Sequence, residues 1–207
     1  MVQIVHGGEN TLKINSILEA AQRLFAQYGF EKTSMKDIAE DVGISKPSLY
    51  YYFPDKERLF EAVIDKEQHE LIKLVEQSIE QSDNAGNILK QYISIRNQLF
   101  NQFLNLWKLR LNDETISNPM VQGILCQLKT REQSLISQIL NIGIENNQFE
   151  IDNIEETAVL FMDILKGLRI FEHRKKMGWF LEAKEMESLE KKQLAFANIF
   201  IKGISKK

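Results

Sequence analysis

The amino-acid sequence predicts an all-α protein. Apolar residues recur at the i, i+3, i+4, i+7 spacing of amphipathic helices, and the chain has few helix breakers, with 3 prolines and 10 glycines among 207 residues. Hydrophobic residues make up 43% and charged residues 27%, which is close to ordinary globular usage and argues against a disordered chain. We therefore expect three short helices at the N-terminus, followed by five long ones.

The first helix is predicted to begin near Asn10, after a flexible arm formed by residues 1–9. Its apolar positions from Ile14 to Tyr28 lie on one helical face. Gly29 follows the last of these positions directly. Because glycine readily adopts the left-handed conformation of a C-cap, we expect the helix to end there.

Two short helices are predicted next. Ser34 and the acidic residue three positions later have the spacing of a capping box, and Gly43 is expected to end the second helix. Ser45 can cap a third helix that has a proline in its first turn, where proline costs no hydrogen bond. Two short helices joined by a glycine-containing turn predict a helix-turn-helix.

One side of the third helix carries groups suited to DNA. At about 100° per residue, this side holds Lys46, Pro47, Tyr50 and Tyr51. A cation, an apolar ring and two phenols suit contacts with phosphates, thymine methyls and base edges in a major groove. The alternative is that the tyrosines only pack this small subdomain, and for Tyr52 packing is at least as good an interpretation.

A longer pattern extends over these helices. It consists of Ala20-Ala21, Leu24-Phe25, Tyr28-Gly29-Phe30, Thr33-Ser34-Met35, Ile38-Ala39, the run from Val42 to Phe53, Lys56-Glu57 and Leu59. This pattern resembles the N-terminal DNA-binding domain of TetR/AcrR transcriptional regulators. Tyr52 departs from the family pattern, in which many relatives carry histidine, so a histidine contact to phosphate is absent.

The resemblance implies a homodimeric regulator, usually a repressor that a small apolar effector releases from a palindromic operator. It implies a helix-turn-helix DNA-binding domain at 1–55 and a larger helical effector-binding and dimerisation domain at 56–207. The helical wheel and the resemblance together assign DNA contacts to Thr33, Ser34, Lys36, Ser45, Lys46, Pro47, Tyr50, Tyr51 and Lys56.

Charge gives no global sign of a polyanionic partner. The net charge is -3, and the first 60 residues carry seven basic and eight acidic side chains. Lys36, Lys46 and Lys56 must therefore be gathered on the DNA side, or affinity will be weak and strongly salt-dependent. The acidic balance also supports an alternative of another class, a helical adaptor protein whose degenerate helix-turn-helix no longer engages DNA.

The five long helices are predicted at about 55–81, 85–111, 119–146, 154–177 and 185–204. The last two are apolar almost all round, so they must be covered on several sides. In TetR-like proteins the last two long helices form a four-helix bundle across a homodimer, and the resemblance implies the same dimer here. Burial of both helices within one chain is the alternative.

The helix at 85–111 carries Arg96 and Arg110 in the middle of its apolar arc. Because an unpaired buried guanidinium is costly, each needs an acidic partner, water or a bound anion. In one hypothesis, Arg96 anchors an acid group of a small hydrophobic effector in an aromatic cavity. That cavity would be lined by Tyr92, Phe100, Phe103 and Trp107. The alternatives are an internal pair with a carboxylate such as Glu132 and, for Arg110, solvent beyond the helix end.

Motifs for catalysis, metals and cofactors are not found in the sequence. It has no glycine-rich phosphate loop, nucleophile elbow or His-Glu-x-x-His, and its three histidines have no obvious partners, so we expect neither an enzyme nor a metal or cofactor. Apolar runs are about five residues long, against the roughly 20 of a membrane span, and the start lacks a secretory pattern, so a cytoplasmic protein is expected. The single cysteine, Cys126, is expected to be a small core residue.

Overall fold

A computed structural model of the chain describes residues 7–102, 119–174 and 183–206. These residues form eight helices. They are α1 (Gly7–Tyr28), α2 (Met35–Val42), α3 (Lys46–Tyr52), α4 (Lys56–Glu80), α5 (Ala85–Gln102), α6 (Pro119–Glu145), α7 (Ile154–Arg174) and α8 (Ala183–Ile204). One isolated antiparallel bridge joins Phe149 and Ser205. The predicted all-α class is confirmed.

Where the residues are described, the predicted helix limits agree closely with the observed ones, except at the N-terminus. The predicted helix ends at 111 and 177 lie outside the described residues. Helix α1 begins at Gly7, so residues 7–9, predicted as part of a flexible arm, are helical. Gly29 and Gly43 have φ angles of 86° and 72°, the left-handed conformation that the predicted helix ends require.

The chain divides into two compact units. The first comprises 1–69 and 102–125, and the second comprises 70–101 and 126–207. Helix α4 contributes residues to both units as one continuous helix. The domain limit after residue 55 therefore stays a prediction.

The first unit has a small core that supports the helix-turn-helix. Helix α2 packs on α1 and on α3. Three phenylalanine rings meet where α1 ends and α4 begins, with 5.1 Å between the centroids of Phe25 and Phe60 and 4.8 Å between those of Phe30 and Phe60. Aromatic pairs at such distances stabilise beyond their buried area. Helix α3 contributes Leu49, the one buried residue of that helix, to this core.

The second unit has a larger apolar core from α4 to α8. Hydrogen bonds tie its loops together at one end. The side chain of Gln148 accepts a hydrogen bond from the amide of Ala85 at 2.9 Å and donates one to the carbonyl of Asp83 at 2.6 Å. The amide of Glu150 donates to the carbonyl of Ile204 at 2.8 Å. The loop before α5 and the loop before α7 are thereby held at the end of α8.

Cys126 is exposed, so the expectation that it is a core residue is wrong. Within the described ranges, no helix is long and apolar enough to cross a membrane.

Candidate nucleic-acid interface and buried polar cluster

Helix α2 begins with the predicted capping box. The Ser34 hydroxyl oxygen accepts from the amide of Asp37 at 3.2 Å, and the Asp37 carboxylate accepts from the Ser34 amide at 2.9 Å. The Ser34 side chain also donates a hydrogen bond to this carboxylate and lowers the pKa of Asp37. These bonds satisfy amides that a helix start otherwise leaves without partners, so they fix where α2 begins.

Helix α3 presents an exposed outer face. The Ser45 hydroxyl oxygen caps the helix by accepting from the amide of Ser48 at 3.2 Å. Residues of the predicted DNA-facing side are exposed, and Tyr51 reaches 80% exposure. These exposed residues are Ser45, Lys46, Pro47, Tyr50 and Tyr51. The face that the helical wheel predicted to point outward is the face that lies at the surface.

Side chains on this face already contact one another. The Lys46 ammonium lies 5.7 Å from the centroid of the Tyr50 ring, within the range of a cation–π contact. The rings of Tyr51 and Tyr52 meet edge to face, with 5.3 Å between centroids. Tyr52 is half-buried, as the packing interpretation of this residue requires.

Two of the predicted DNA contacts also hold the unit together. The hydroxyl of Thr33 is 2.8 Å from the carbonyl oxygen of Gly29, and Thr33 is buried. The Lys56 ammonium donates to the carbonyl of Phe30 at 2.9 Å and lies 4.3 Å from the centroid of that ring. Sequence reasoning missed both contacts. Lys56 retains further N–H groups for a phosphate, since an ammonium has three donors.

The charges of the first unit are unevenly placed. Several acidic side chains form surface ion pairs, including Arg23–Asp41 at 2.5 Å and Lys36–Glu40 at 3.5 Å. Such exposed pairs contribute little stability but reduce the local field of both partners. Helix α3 contains Lys46 and no acidic residue. The outer face of α3 is therefore locally cationic, although the first 60 residues are net acidic.

A buried polar cluster lies in the second unit. The Tyr92 hydroxyl donates to Oε1 of Glu132 at 2.7 Å, and Nε of Arg96 donates to the same oxygen at 2.6 Å. The side chains of Arg96 and Glu132 are 11% and 6% exposed. The internal pair left open by the sequence is present. Burial alone would lower the pKa of Arg96, but the Glu132 carboxylate and the Tyr92 hydroxyl raise it.

The other members of the predicted aromatic cavity cannot be placed. Phe103, Trp107 and Arg110 lie outside the described residues, as does the side chain of Phe100. The cavity and its ligand contacts therefore stay predictions.

A second polar chain joins three helices in this unit. Nη2 of Arg169 donates to Oδ1 of Asn97 at 2.7 Å, Nδ2 of Asn97 donates to Oε1 of Gln193 at 2.8 Å, and Nε2 of Gln193 donates to the carbonyl of Leu165 at 3.0 Å. Sequence reasoning missed this chain. One signal was available, because Gln193 lies on an otherwise apolar buried stripe of α8 formed by Met186, Leu189 and Ala197.

Helices α7 and α8 both expose large apolar side chains. On α7, Leu160 and Phe171 are exposed, and Gly167 between them is exposed with open space around its Cα. On α8, Ile199 is 74% exposed. Surfaces of this kind are typical of protein–protein contacts.

Comparison with known proteins shows to which protein family this combination of two units belongs. Residues 17–63 match the family model described as bacterial regulatory proteins, tetR family, and residues 101–206 match the model for the C-terminal region of QacR-like proteins. The chain is similar to a solved transcriptional regulator from Cytophaga hutchinsonii, with 36% identity, a TM-score of 0.79 and coverage of 94% of this chain and 99% of that one. The chain belongs to the TetR family.

Curated relatives of this TetR-family chain are transcriptional regulators. It is 26% identical to the regulator UidR of Escherichia coli over 73% of this chain and 77% of UidR. Over 52 residues, 25% of this chain and 24% of the relative, it is 50% identical to RutR of Escherichia coli. TetR-family proteins are DNA-binding regulators and not enzymes, as the sequence predicted for this chain.

Proposed function

We propose that this TetR-family regulator is a homodimeric repressor that a small apolar effector releases from a palindromic operator. The observation that carries the proposal is the outer face of α3, where Lys46, Pro47, Tyr50 and Tyr51 are exposed beside one another and no acidic residue intervenes. Two such helices in successive major grooves would read two half-sites about 34 Å apart.

The DNA contacts divide into two kinds. Pro47, Tyr50 and Tyr51 would meet base edges, whereas Lys46 would meet phosphates. The helix starts would add phosphate contacts through Thr33, Ser34, Lys36, Ser45 and Lys56. For Thr33 the backbone amide is the group to consider, because its hydroxyl is buried against α1. Helix starts bind phosphate well because their amides point outward.

The dimer would form through α7 and α8, the described parts of the predicted helices at 154–177 and 185–204. Exposed Leu160 and Ile199 support this choice, because a partner would remove them from water. Gly167 would let a partner helix approach closely, since no atom of the described residues lies within 4 Å of the position that a Cβ would take there.

The effector would act by shifting the dimer between two conformational states. An effector that prefers a state of the dimer with more widely separated DNA-binding units releases DNA in proportion to that preference. Helix α4 is the natural connection, because it contributes residues to both compact units. The predicted effector contacts are Tyr92, Arg96, Phe100, Phe103 and Trp107, and their aromatic character favours an apolar molecule.

Fluorescence anisotropy on tiled duplexes from the DNA flanking the gene tests the proposal. We expect tight, salt-dependent binding to one palindromic duplex. Tyr50→Ala should weaken this binding about tenfold, because it removes one side chain that reads a base edge. Tyr28→Ala is the matched control, because Tyr28 is an exposed tyrosine at the end of α1. A folded dimer that binds no duplex selectively at low salt would favour the adaptor alternative.

A further inference from the structure

The side chain of Lys56 joins two parts of the first unit that are distant in the sequence. Its ammonium donates to the carbonyl of Phe30 at 2.9 Å and lies 4.3 Å from the centroid of that ring. Phe30 lies between α1 and α2, whereas Lys56 is the first residue of α4. The two residues are 26 positions apart, and the chain between them contains all of α2 and α3. The contact therefore closes a ring around the helix-turn-helix.

Helix α4 by itself gives no reason for a cation at this position. The Asp55 carboxylate accepts from the amide of Arg58 at 2.7 Å, which fixes where α4 begins. Because the start of a helix carries partial positive charge, a lysine there is disfavoured by its own helix. The carbonyl oxygen of Phe30 and the face of its ring are both partially negative and stabilise the ammonium. Lys56 is thus stabilised by the segment before α2.

This segment before α2 is itself held in place. The Phe30 ring packs on Phe25 of α1 and on Phe60 of α4, with 5.8 and 4.8 Å between centroids. A few residues later, the Thr33 hydroxyl is bonded to the carbonyl of Gly29, and the Ser34 hydroxyl oxygen caps α2. The ammonium therefore bonds to an ordered segment that leads directly into α2.

The other end of the ring is also short. Helix α3 ends at Phe53, whose amide donates to the carbonyl of Leu49 at 3.0 Å, and only residues 53–55 separate α3 from α4. The backbone of Lys56 is thus connected to the end of α3, while its side chain is bonded to the segment before α2. The helix-turn-helix is attached to the start of α4 at both of its ends.

We infer that Lys56 is a positioning residue, whose bridge to Phe30 fixes the orientation of the helix-turn-helix on α4 and so decides which half-site spacing the dimer accepts. This inference rests on the proposed function and deepens it by naming a residue that selects operator geometry. The bridge acts in addition to the proposed phosphate contact of Lys56, because an ammonium has three donors.

Operator spacing tests this inference. The probe is the duplex from the DNA flanking the gene that the parent protein binds most tightly, with two derivatives in which one base pair is inserted or removed between the half-sites. Each change moves one half-site by about 3.4 Å and turns it by about 34° around the DNA axis. Anisotropy should show that the parent binds each derivative about tenfold more weakly, because the DNA must deform to meet both recognition helices.

Three variants assign this spacing penalty to the bridge. Lys56→Met removes the donor and the charge but keeps an apolar stem, so the penalty should fall to about threefold or less. Lys36→Met is the matched control, because Lys36 has a proposed phosphate contact but pairs with Glu40 of its own helix. It should weaken binding to all three duplexes and leave the penalty at the value of the parent.

The third variant, Phe30→Leu, removes the ring beneath the ammonium and should also lower the penalty. It takes the place of Lys56→Met if that variant does not fold. Thermal unfolding and the dimeric state are measured for every variant, so that a loss of folded protein is separated from a change in spacing preference. General destabilisation would weaken binding to the three duplexes in the same proportion and would leave the penalty unchanged.

Three outcomes would overturn the inference. These are a folded Lys56→Met variant with the spacing penalty of the parent, an equal decrease of the penalty in Lys36→Met, or a parent that tolerates both derivatives. In each case the parent still binds its duplex, so the proposed role as a DNA-binding repressor is kept. If the parent binds no duplex selectively, the proposed function fails and this inference fails with it.

Discussion

The helix-turn-helix and the buried polar cluster are both polar sites, but their hydrogen bonds connect the chain over very different distances. In the first unit, Ser34–Asp37 and Ser45–Ser48 are bonds between residues three positions apart. In the second unit, Arg96–Glu132 and Asn97–Gln193 join residues 36 and 96 positions apart. The first site forms wherever its helices start, whereas the second exists only when several helices have packed together.

Exposure differs in the same way. The outer face of α3 lies in water, where solvent takes the place of a charge or hydroxyl that is removed. The cluster on α5 and α6 is buried, where removal of one partner leaves its neighbour without compensation. Substitutions in the second unit should therefore act on folding, and substitutions on the face of α3 should act on DNA binding.

The largest effect on stability is expected for a substitution of Glu132. Glu132→Ala leaves the Arg96 guanidinium buried without its partner, so the free energy of unfolding should fall by about 3–5 kcal/mol. Urea denaturation at a fixed protein concentration measures this change. Lys129→Ala, an exposed change on the same helix, should stay within about 0.5 kcal/mol of the parent. A decrease of less than about 1 kcal/mol for Glu132→Ala would mean that the pair is solvated.

Asn97 comes next. Asn97→Ala removes the acceptor for Arg169 and the donor for Gln193, which should cost about 1–3 kcal/mol. Because both bonds belong to one chain, Asn97→Ala and Gln193→Ala should be non-additive by at least about 0.5 kcal/mol in a double-mutant cycle. Strict additivity would show that the two side chains act independently.

A smaller effect is expected at the start of α3. Ser45→Ala removes an N-cap and should lower the free energy of unfolding by about 1 kcal/mol. Ser45→Asp restores an acceptor, so its stability should return toward that of the parent. Thermal unfolding of both variants checks this prediction, and an equal decrease in the two would argue against a capping role.

The smallest effect on stability is expected for Lys46. Lys46→Ala should leave the unfolding midpoint unchanged but reduce the slope of log K against log salt by about 0.9 for each phosphate that Lys46 neutralises in the parent. Anisotropy titrations at several salt concentrations measure this slope. Lys73→Ala, an exposed lysine later in α4, should leave the slope unaltered. Equal slopes for Lys46→Ala and the parent would show that Lys46 binds no phosphate.

These differences also explain what the sequence could predict. Caps, glycine helix ends and the outer face of α3 depend on neighbours within four residues, and their predictions from Ser34, Gly43 and Ser45 are confirmed. The pairing of Arg96 with Glu132 could be foreseen only as one alternative, because periodicity identifies a buried charge but not its partner.

Contacts between distant segments could not be predicted. Nothing near Lys56 in the sequence indicates that its ammonium binds the carbonyl of Phe30, 26 residues earlier. The bond from Thr33 to Gly29 spans only four residues, but it belongs to no capping motif that the sequence shows. The exposure of Cys126 was missed for a related reason, since residue type alone does not say which face of α6 its neighbours cover.

The hydrogen bonds that connect Arg169 to Leu165 through Asn97 and Gln193 can run in only one donor-to-acceptor direction. A guanidinium can only donate, so Asn97 must accept with its oxygen and donate with its nitrogen, and Gln193 must then donate to the backbone of α7. Deamidation of Asn97 would preserve its shape but replace the donor with an acceptor. Gln193 would then have to turn its own amide around, and the carbonyl of Leu165 would lose its donor. The replacement of one atom on α5 would thus break a hydrogen bond to the backbone of α7, although Asn97 and Leu165 are connected only through Gln193.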